Sequence, residues 1–173
     1  NEAKPFSIFL PGVAGPFGIP LWAFYVNRGQ GIASFGVSDK DHAILQFYPA
    51  NRSYEFTSLR GFRTFIKVIQ RKETLYYEPF QNNLQQQKYD TRQAMRVQSQ
   101  GFQIEESNQS LGLDVKVSYF GVPGEPFAAL ARKVVIQNKL VVPAELEIAD
   151  GLPAVVPFGL KEWFLKDMSR TVE

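Results

Sequence analysis

The sequence predicts an all-β protein, a large antiparallel β-sandwich with one helix near the C-terminus. Three observations carry that prediction. Aromatic residues make up 14% of the 173 residues, with 15 Phe, and aromatic and β-branched side chains favour pleated sheets. Short runs of period-two alternation recur along the chain, separated by Gly, Pro, Asn and Asp. Strands do not alternate with helices, so a parallel α/β core is excluded.

Residues 1–20 are rich in Pro and Gly and read as an irregular arm holding one short edge strand, Phe6 to Leu10. Phe17 and Ile19 are placed to pin the arm to the core. Leu21 to Tyr48 reads as a three-stranded meander. Its runs are Leu21–Val26, Ile32–Val37 and Ala43–Tyr48, and its turns are Asn27–Gly31 and Ser38–Asp41. Pro49 to Arg52 reads as a turn, and Tyr54 to Thr57 as a short strand. Leu59 to Ile69 fits neither period cleanly; its Phe, Ile and Val content favours a strand, with a helix as the alternative.

Thr74 to Phe80 is a further strand. The segment 81–88, mostly side-chain amides, has little to bury and reads as an exposed loop. Met95–Gln100 and Phe102–Glu106 form a strand pair around Gly101. Leu113 to Phe120 has the cleanest alternation, with Leu113, Val115, Val117 and Tyr119 on one face and Asp114, Lys116 and Ser118 on the other. Ala129–Asn138 and Pro143–Ala149 are two more strands, split from what precedes and follows by Pro123–Pro126 and Gly151–Pro153. Leu160, Trp163, Phe164 and Met168 stand at helical spacing, so the single helix falls there. The first residue, Asn1, and the uncapped end at Glu173 suggest a piece of a larger polypeptide.

Composition excludes several chemistries. With no cysteine, disulfides, thiolate metal sites and a cysteine nucleophile are ruled out, and the cytoplasm is the fitting compartment. A single histidine, His42, removes any site that needs two. A net charge of +2 without a concentrated basic patch gives nucleic-acid binding no support, and no apolar run is long enough for a membrane span. Glu105 and Glu106 are neighbours that point to opposite faces of a strand, so they are not the facing carboxylates of a glycosidase. Asp114, Glu145 and Glu147 read as solvated.

The remaining candidates are turns and aromatics. Asn27, Arg28 and Gln30 sit in a Gly-rich turn able to present Arg28 to an anion or sugar, although a plain hairpin turn accounts for them. Asp39, Asp41 and His42 carry metal-ligating atoms, but a polar turn is the better reading and no metal is expected. Trp22 and Tyr48, with Phe24, Tyr25, Tyr76 and Tyr77, could stack on sugar rings or simply pack in a core.

The order RGQGIASFGVSDKDHAILQFY, a Phe-rich strand region, and LGLDVKVSYFGVPGEPFAALARKVVIQN resembles the N-terminal β-sandwich of family 94 glycoside phosphorylases. The opening LPGVAGPFGIPLWAFYVNRGQGIASFG is most similar to the branch acting on β-1,2-linked gluco-oligosaccharides. The likeness covers roughly residues 10–160 and includes no catalytic motif. It implies that residues 1–173 are one non-catalytic domain, a galactose-mutarotase-like super-sandwich, within a larger enzyme. That enzyme would phosphorolyse β-1,2-gluco-oligosaccharides reversibly to α-glucose 1-phosphate. Inorganic phosphate would be its co-substrate, and it would need no cofactor. The resemblance further implies packing on an (α/α)6 catalytic barrel of the same polypeptide, a homodimer, and turns 27–31 and 38–42 near the substrate. A free-standing carbohydrate-binding module is the alternative.

Overall fold

The computed structural model describes residues 3–10, 13–14, 18–69, 73–81 and 88–168. In chain order the elements are β1 (Ser7–Leu10), β2 (Val13–Ala14), β3 (Ile19–Val26), β4 (Ile32–Val37), a 3-10 turn (Lys40–His42), β5 (Ala43–Leu45), α1 (Ala50–Arg60), β6 (Arg63–Ile69), β7 (Thr74–Tyr77), β8 (Thr91–Gln98), β9 (Gly101–Asn108), β10 (Leu113–Gly121), β11 (Leu130–Asn138), β12 (Glu145–Gly151) and α2 (Glu162–Asp167).

The protein is mostly β, as the sequence predicts, but its strands sort into three separate antiparallel sheets rather than the two layers of a sandwich. The N-terminal sheet runs β1-β3-β4-β5, with β2 paired to β3; the second runs β11-β10-β9-β8; the third runs β12-β6-β7. None closes into a barrel. The reason lies in the chain after β5. That strand stops at Leu45, and α1 intervenes, so β6 cannot continue the meander and pairs instead with β7 and, far along the chain, β12. One apolar core joins all three sheets, drawing Ala23, Tyr25, Ile32 and Phe35 from the first, Phe102, Ile104, Leu113, Val115 and Val117 from the second, and Ile66, Val68 and Tyr77 from the third.

The alternation of β10 is borne out. Leu113, Val115, Val117 and Tyr119 are all at most 1% exposed, while Lys116 and Phe120 on the other face are open to solvent. An aromatic row crosses this core: Tyr25 stacks on Phe102 at 4.6 Å, Phe102 meets Tyr119 at 4.8 Å, and Phe62 bridges Tyr119 (5.8 Å) and Phe35 (6.0 Å). Such offset pairs add to the burial of the rings themselves.

α1 overturns two expectations. Residues expected to form a turn at 49–52 and a strand at 54–57 are helical, with Pro49 at the N-cap and Gly61 closing the helix onto Thr57 O. The buried face of α1 is made of Ser53, Thr57 and Ser58, not of apolar residues. Their hydroxyls bond the carbonyls of Tyr48 (2.8 Å), Ser53 (2.5 Å) and Glu55 (3.5 Å), so the helix buries them without unpaired donors. Small side chains let α1 lie close on β4, which is therefore buried on both faces apart from its last residue. Among the described residues there are thus two short α-helices rather than one.

Other boundaries shift. The third run of the meander ends at Leu45, not Tyr48, and β2 gives the Pro/Gly-rich arm a paired turn with β3. The side chains of Phe17 and Ile19 and the amide-rich residues 82–87 lie outside the described residues. Gln81 is half-buried rather than looped out, its amide donating to Ser58 O at 2.9 Å. α2 forms where expected, but Trp163 and Met168 remain exposed and the buried residue is Glu162.

Gly31 shows how tightly the first hairpin meets the second sheet. Its φ is +87°, and a Cβ there would stand 2.5 Å from Cε2 of Phe102. Gly31→Ala is expected to lower unfolding stability by about 2 kcal/mol, through backbone strain and displacement of the Phe102 ring. A urea titration checks this; an unchanged midpoint would show that the ring yields freely.

Candidate functional site

The turns singled out in the sequence lie at opposite ends of β4, with Asn27–Gly31 before it and Ser38–His42 after it, so they do not form one site. Asn27 ties down the N-terminal arm, accepting from Phe6 N–H at 2.8 Å and donating to Lys4 O at 3.0 Å. Arg28 lies over the Tyr54 ring, 5.4 Å from its centroid, and so docks on α1. Gln30 is buried.

In the second turn, Asp39 Oδ1 accepts from Asp41 N–H (2.9 Å) and meets His42 Nδ1 (2.8 Å). The His42 contact, followed by the Asp41 N–H bond, holds the Asp39 carboxyl below the usual range. Asp41 Oδ1 accepts the N–H of Glu162, the first residue of α2, at 2.9 Å, and Lys40 pairs with the Glu162 carboxylate. Lys166 pairs with the same carboxylate at 2.6 Å, and Val156 N–H bonds Ile44 O at 2.8 Å. The Asp39–His42 turn therefore docks the C-terminal segment through Lys40 and Asp41, while Asp39 and His42 bond within the turn. Among the described residues no group of three or more His, Asp or Glu is arranged to hold a metal.

Trp22 gives its ring N–H to Asp39 O at 2.9 Å and packs edge-on against Phe47. Tyr48 donates to Gln46 Oε1 at 2.7 Å and lies under Arg60. Tyr25 and Tyr77 are core residues; Tyr76 is exposed.

Two polar constellations that the sequence reading missed stand out instead. The first centres on Arg132 of β11, whose side chain is 9% exposed. Its guanidinium forks onto Asp150 of β12, at 2.5 Å to Oδ2 and 2.8 Å to Oδ1. The same group donates to Gln30 Oε1 (2.5 Å), Thr64 Oγ1 (3.1 Å) and Tyr119 OH (3.3 Å), and it lies 4.8 Å over the Phe62 ring. Thr64 donates onward to Asp150 Oδ1 (2.5 Å) and accepts from the Gln30 amide (2.8 Å). The second and third sheets and the hairpin turn of the first each supply a member. Burial pushes the Asp150 carboxyl up, but the bonds from Arg132 and Thr64 outweigh it and hold the group below its ordinary range.

The second constellation centres on Glu106 of β9, 2% exposed and facing the core beside Val115. One oxygen accepts the Tyr77 hydroxyl. The other accepts Phe80 N–H (2.8 Å) and the Gln93 amide (2.5 Å). Burial pushes its pKa above the ordinary value, and these three donors recover only part of the shift. Burial and the neighbouring carboxylate push the Tyr77 hydroxyl up as well. The donors come from β7, the turn after it and β8, so Glu106 joins the second and third sheets. Its neighbour Glu105 faces outward, paired with Arg96 and Lys116, at the edge of a shallow groove of about 420 Å³ on the outer face of the four-stranded sheet. Asp114, also in that groove, accepts from Ser107 (2.5 Å) and pairs with Lys139 (3.5 Å). Each carboxylate oxygen of Asp150 and Glu106 accepts at least one hydrogen bond.

No protein-family model matches the sequence, and no curated protein is significantly similar to it.

Arg132→Met is expected to cost roughly 3 kcal/mol, because it strands Asp150, Gln30 and Thr64 without their shared donor. Arg132→Lys should recover only part of this, since an ammonium cannot make the fork. Denaturant midpoints check both. Glu106 gives a pH prediction of definite sign. Its folded pKa lies above the ordinary 4.5, so the folded state holds the proton more tightly than the unfolded chain. Stability should therefore fall as pH climbs from 4.5 through the raised folded value. In Glu106→Gln that slope should vanish; a slope left intact would assign it to another group.

Proposed function

We propose that this chain is a non-catalytic β-domain that docks on a larger catalytic partner, as the N-terminal domain of a family 94-type β-1,2-gluco-oligosaccharide phosphorylase would. The observation that carries the reading is the apolar surface of the C-terminal third. Leu140, Val141, Val142, Val155, Phe158 and Trp163 are all more than half exposed, and Val141 and Phe158 are wholly so. Exposed apolar side chains that adjoin, as Leu140, Val141 and Val142 do along the chain, mark interaction sites. The order and spacing of the strand segments supports the family. The full partnering of the buried carboxylates supports a structural role, with phosphorolysis left to an (α/α)6 barrel using inorganic phosphate. A homodimer and a cytoplasmic setting belong to the same proposal. No described helix is long and apolar enough to cross a membrane.

A carbohydrate-binding module is the second reading. It is favoured by Phe9, 48% exposed on β1 and stacked on Phe47 at 6.0 Å beside Trp22. Calorimetric titration with soluble β-1,2-gluco-oligosaccharides, with and without phosphate, separates the two. Docking predicts no heat at millimolar sugar and no release of glucose 1-phosphate. Saturable binding that disappears in Phe9→Ala would establish the sugar-binding reading instead.

A further inference from the structure

Residues 152–168 leave the end of β12, cross to the first sheet and finish in α2. They are held there at few points. Leu152 packs against the core. Val156 N–H donates to Ile44 O at 2.8 Å, on β5, the last strand of the first sheet. Beyond that, the 3-10 turn holds α2: Asp41 accepts the Glu162 N–H, and Lys40 pairs with the Glu162 carboxylate. Glu162 is the one buried residue of α2, whereas Val155, Phe158 and Trp163 are all more than half exposed. Apolar burial therefore contributes little to keeping this segment in place.

α2 has six residues, and a helix that short is not stable in water by itself. Its first N–H groups need acceptors, yet Lys161 at the N-cap position offers no side-chain bond. The acceptor comes from Asp41, 121 positions away. A carboxylate suits a helix N-terminus both as a hydrogen-bond acceptor and as a negative charge. Glu162 in turn stands between two cations, Lys40 of the turn and Lys166 one turn further along α2. The contacts that dock the segment are thus the contacts that complete its helix. The chain enters α2 through Gly159, at φ +91° with open space around it.

We propose that residues 152–168 form a releasable strap, in which α2 is helical only while Asp41 and Lys40 hold Glu162, and which undocks as one unit while the three sheets stay folded. Such a hold is weak. The Lys40 side chain is 64% exposed, and ion pairs open to solvent contribute little and are screened by salt. Segments with few buried apolar contacts open at the low end of a protein's stability range. Val155, Phe158 and Trp163 ride on the strap, so the latch at Glu162 sets whether they are held in fixed positions. The inference stands whether or not a catalytic partner docks on them.

Residue-resolved hydrogen exchange tests the strap. The amides of Val156, Glu162, Leu165 and Met168 all donate hydrogen bonds in its docked form. They should exchange at a common rate, roughly tenfold or more faster than the amides of β10, and faster still as salt is raised. Asp41→Ala should remove the protection of all four and leave β10 unchanged. Val156 is the telling amide, because its own acceptor is Ile44 O and not Asp41. Asp41→Asn keeps an acceptor and should retain most of the protection, and Lys40→Met should speed all four amides by a smaller common factor. The proposal is overturned if strap amides in the unaltered chain exchange as slowly as those of β10, if Asp41→Ala exposes Glu162 alone or none of the four, or if Asp41→Ala and Lys40→Met lower the protection of β10 together with the strap.

Discussion

The contact on which the rest of the structure depends is the fork between Arg132 and Asp150. Three open sheets share one core, and no backbone ladder runs between them. What fixes their relative positions at the open side is a single guanidinium. It reaches from β11 to β12, to Thr64 on β6, to Gln30 in the first hairpin and to Tyr119 on β10. A purely apolar contact would tolerate sliding, whereas planar two-point bonding to a carboxylate tolerates very little. Burial of the pair is costly, and it is offset because each nearby lone pair and donor has a partner. The same cluster stands on the aromatic row through Phe62, so the polar lock and the packed rings constrain the same strands.

Glu106 does the corresponding work at the opposite end of β9 and β10. It is a carboxylate placed among Val115, Tyr77 and Asn108, and its donors are drawn from two sheets and the turn between β7 and β8. The two locks answer pH differently. Asp150 is held as an anion by a cation and contributes stability above its ordinary titration range. Glu106 has no cation against it among the described residues, so ionisation weakens the fold it joins.

Much of this was legible in the sequence wherever one face of a strand meets the core and the other meets water. β10 is the clearest case, and the strands around it follow. α1 was not legible, because its buried face is Ser53, Thr57 and Ser58, which carry no apolar period. The candidate turns were read as exposed sites from their composition. Gln30 proved to be buried, and Asp41 to hold α2, because the partners of both come from residues more than thirty positions away. The two locks did leave a signal. Phe102, Ile104 and Glu106 share a face, as do Leu130, Arg132 and Val134, and Leu146, Ile148 and Asp150. A charge in register with apolar residues is a charge facing the core. Asp150 lies on the core face with Arg132 opposite it, and the spacing along each strand already places both there.

This placement also bears on why the sheets stay open. A sandwich closes when its edge strands carry apolar residues inward along their whole length. Here β11 and β12 each interrupt the inward apolar row with one charge, and the two charges satisfy each other across the gap. The pair therefore sets a fixed separation between the two edges while leaving Ile148 and Ile136 only partly covered. Closing further would crush the fork, and opening further would strand both charges in a half-dry cleft. The open side is thus held open by the same bond that holds the sheets together, and whatever covers it must meet an edge of defined geometry.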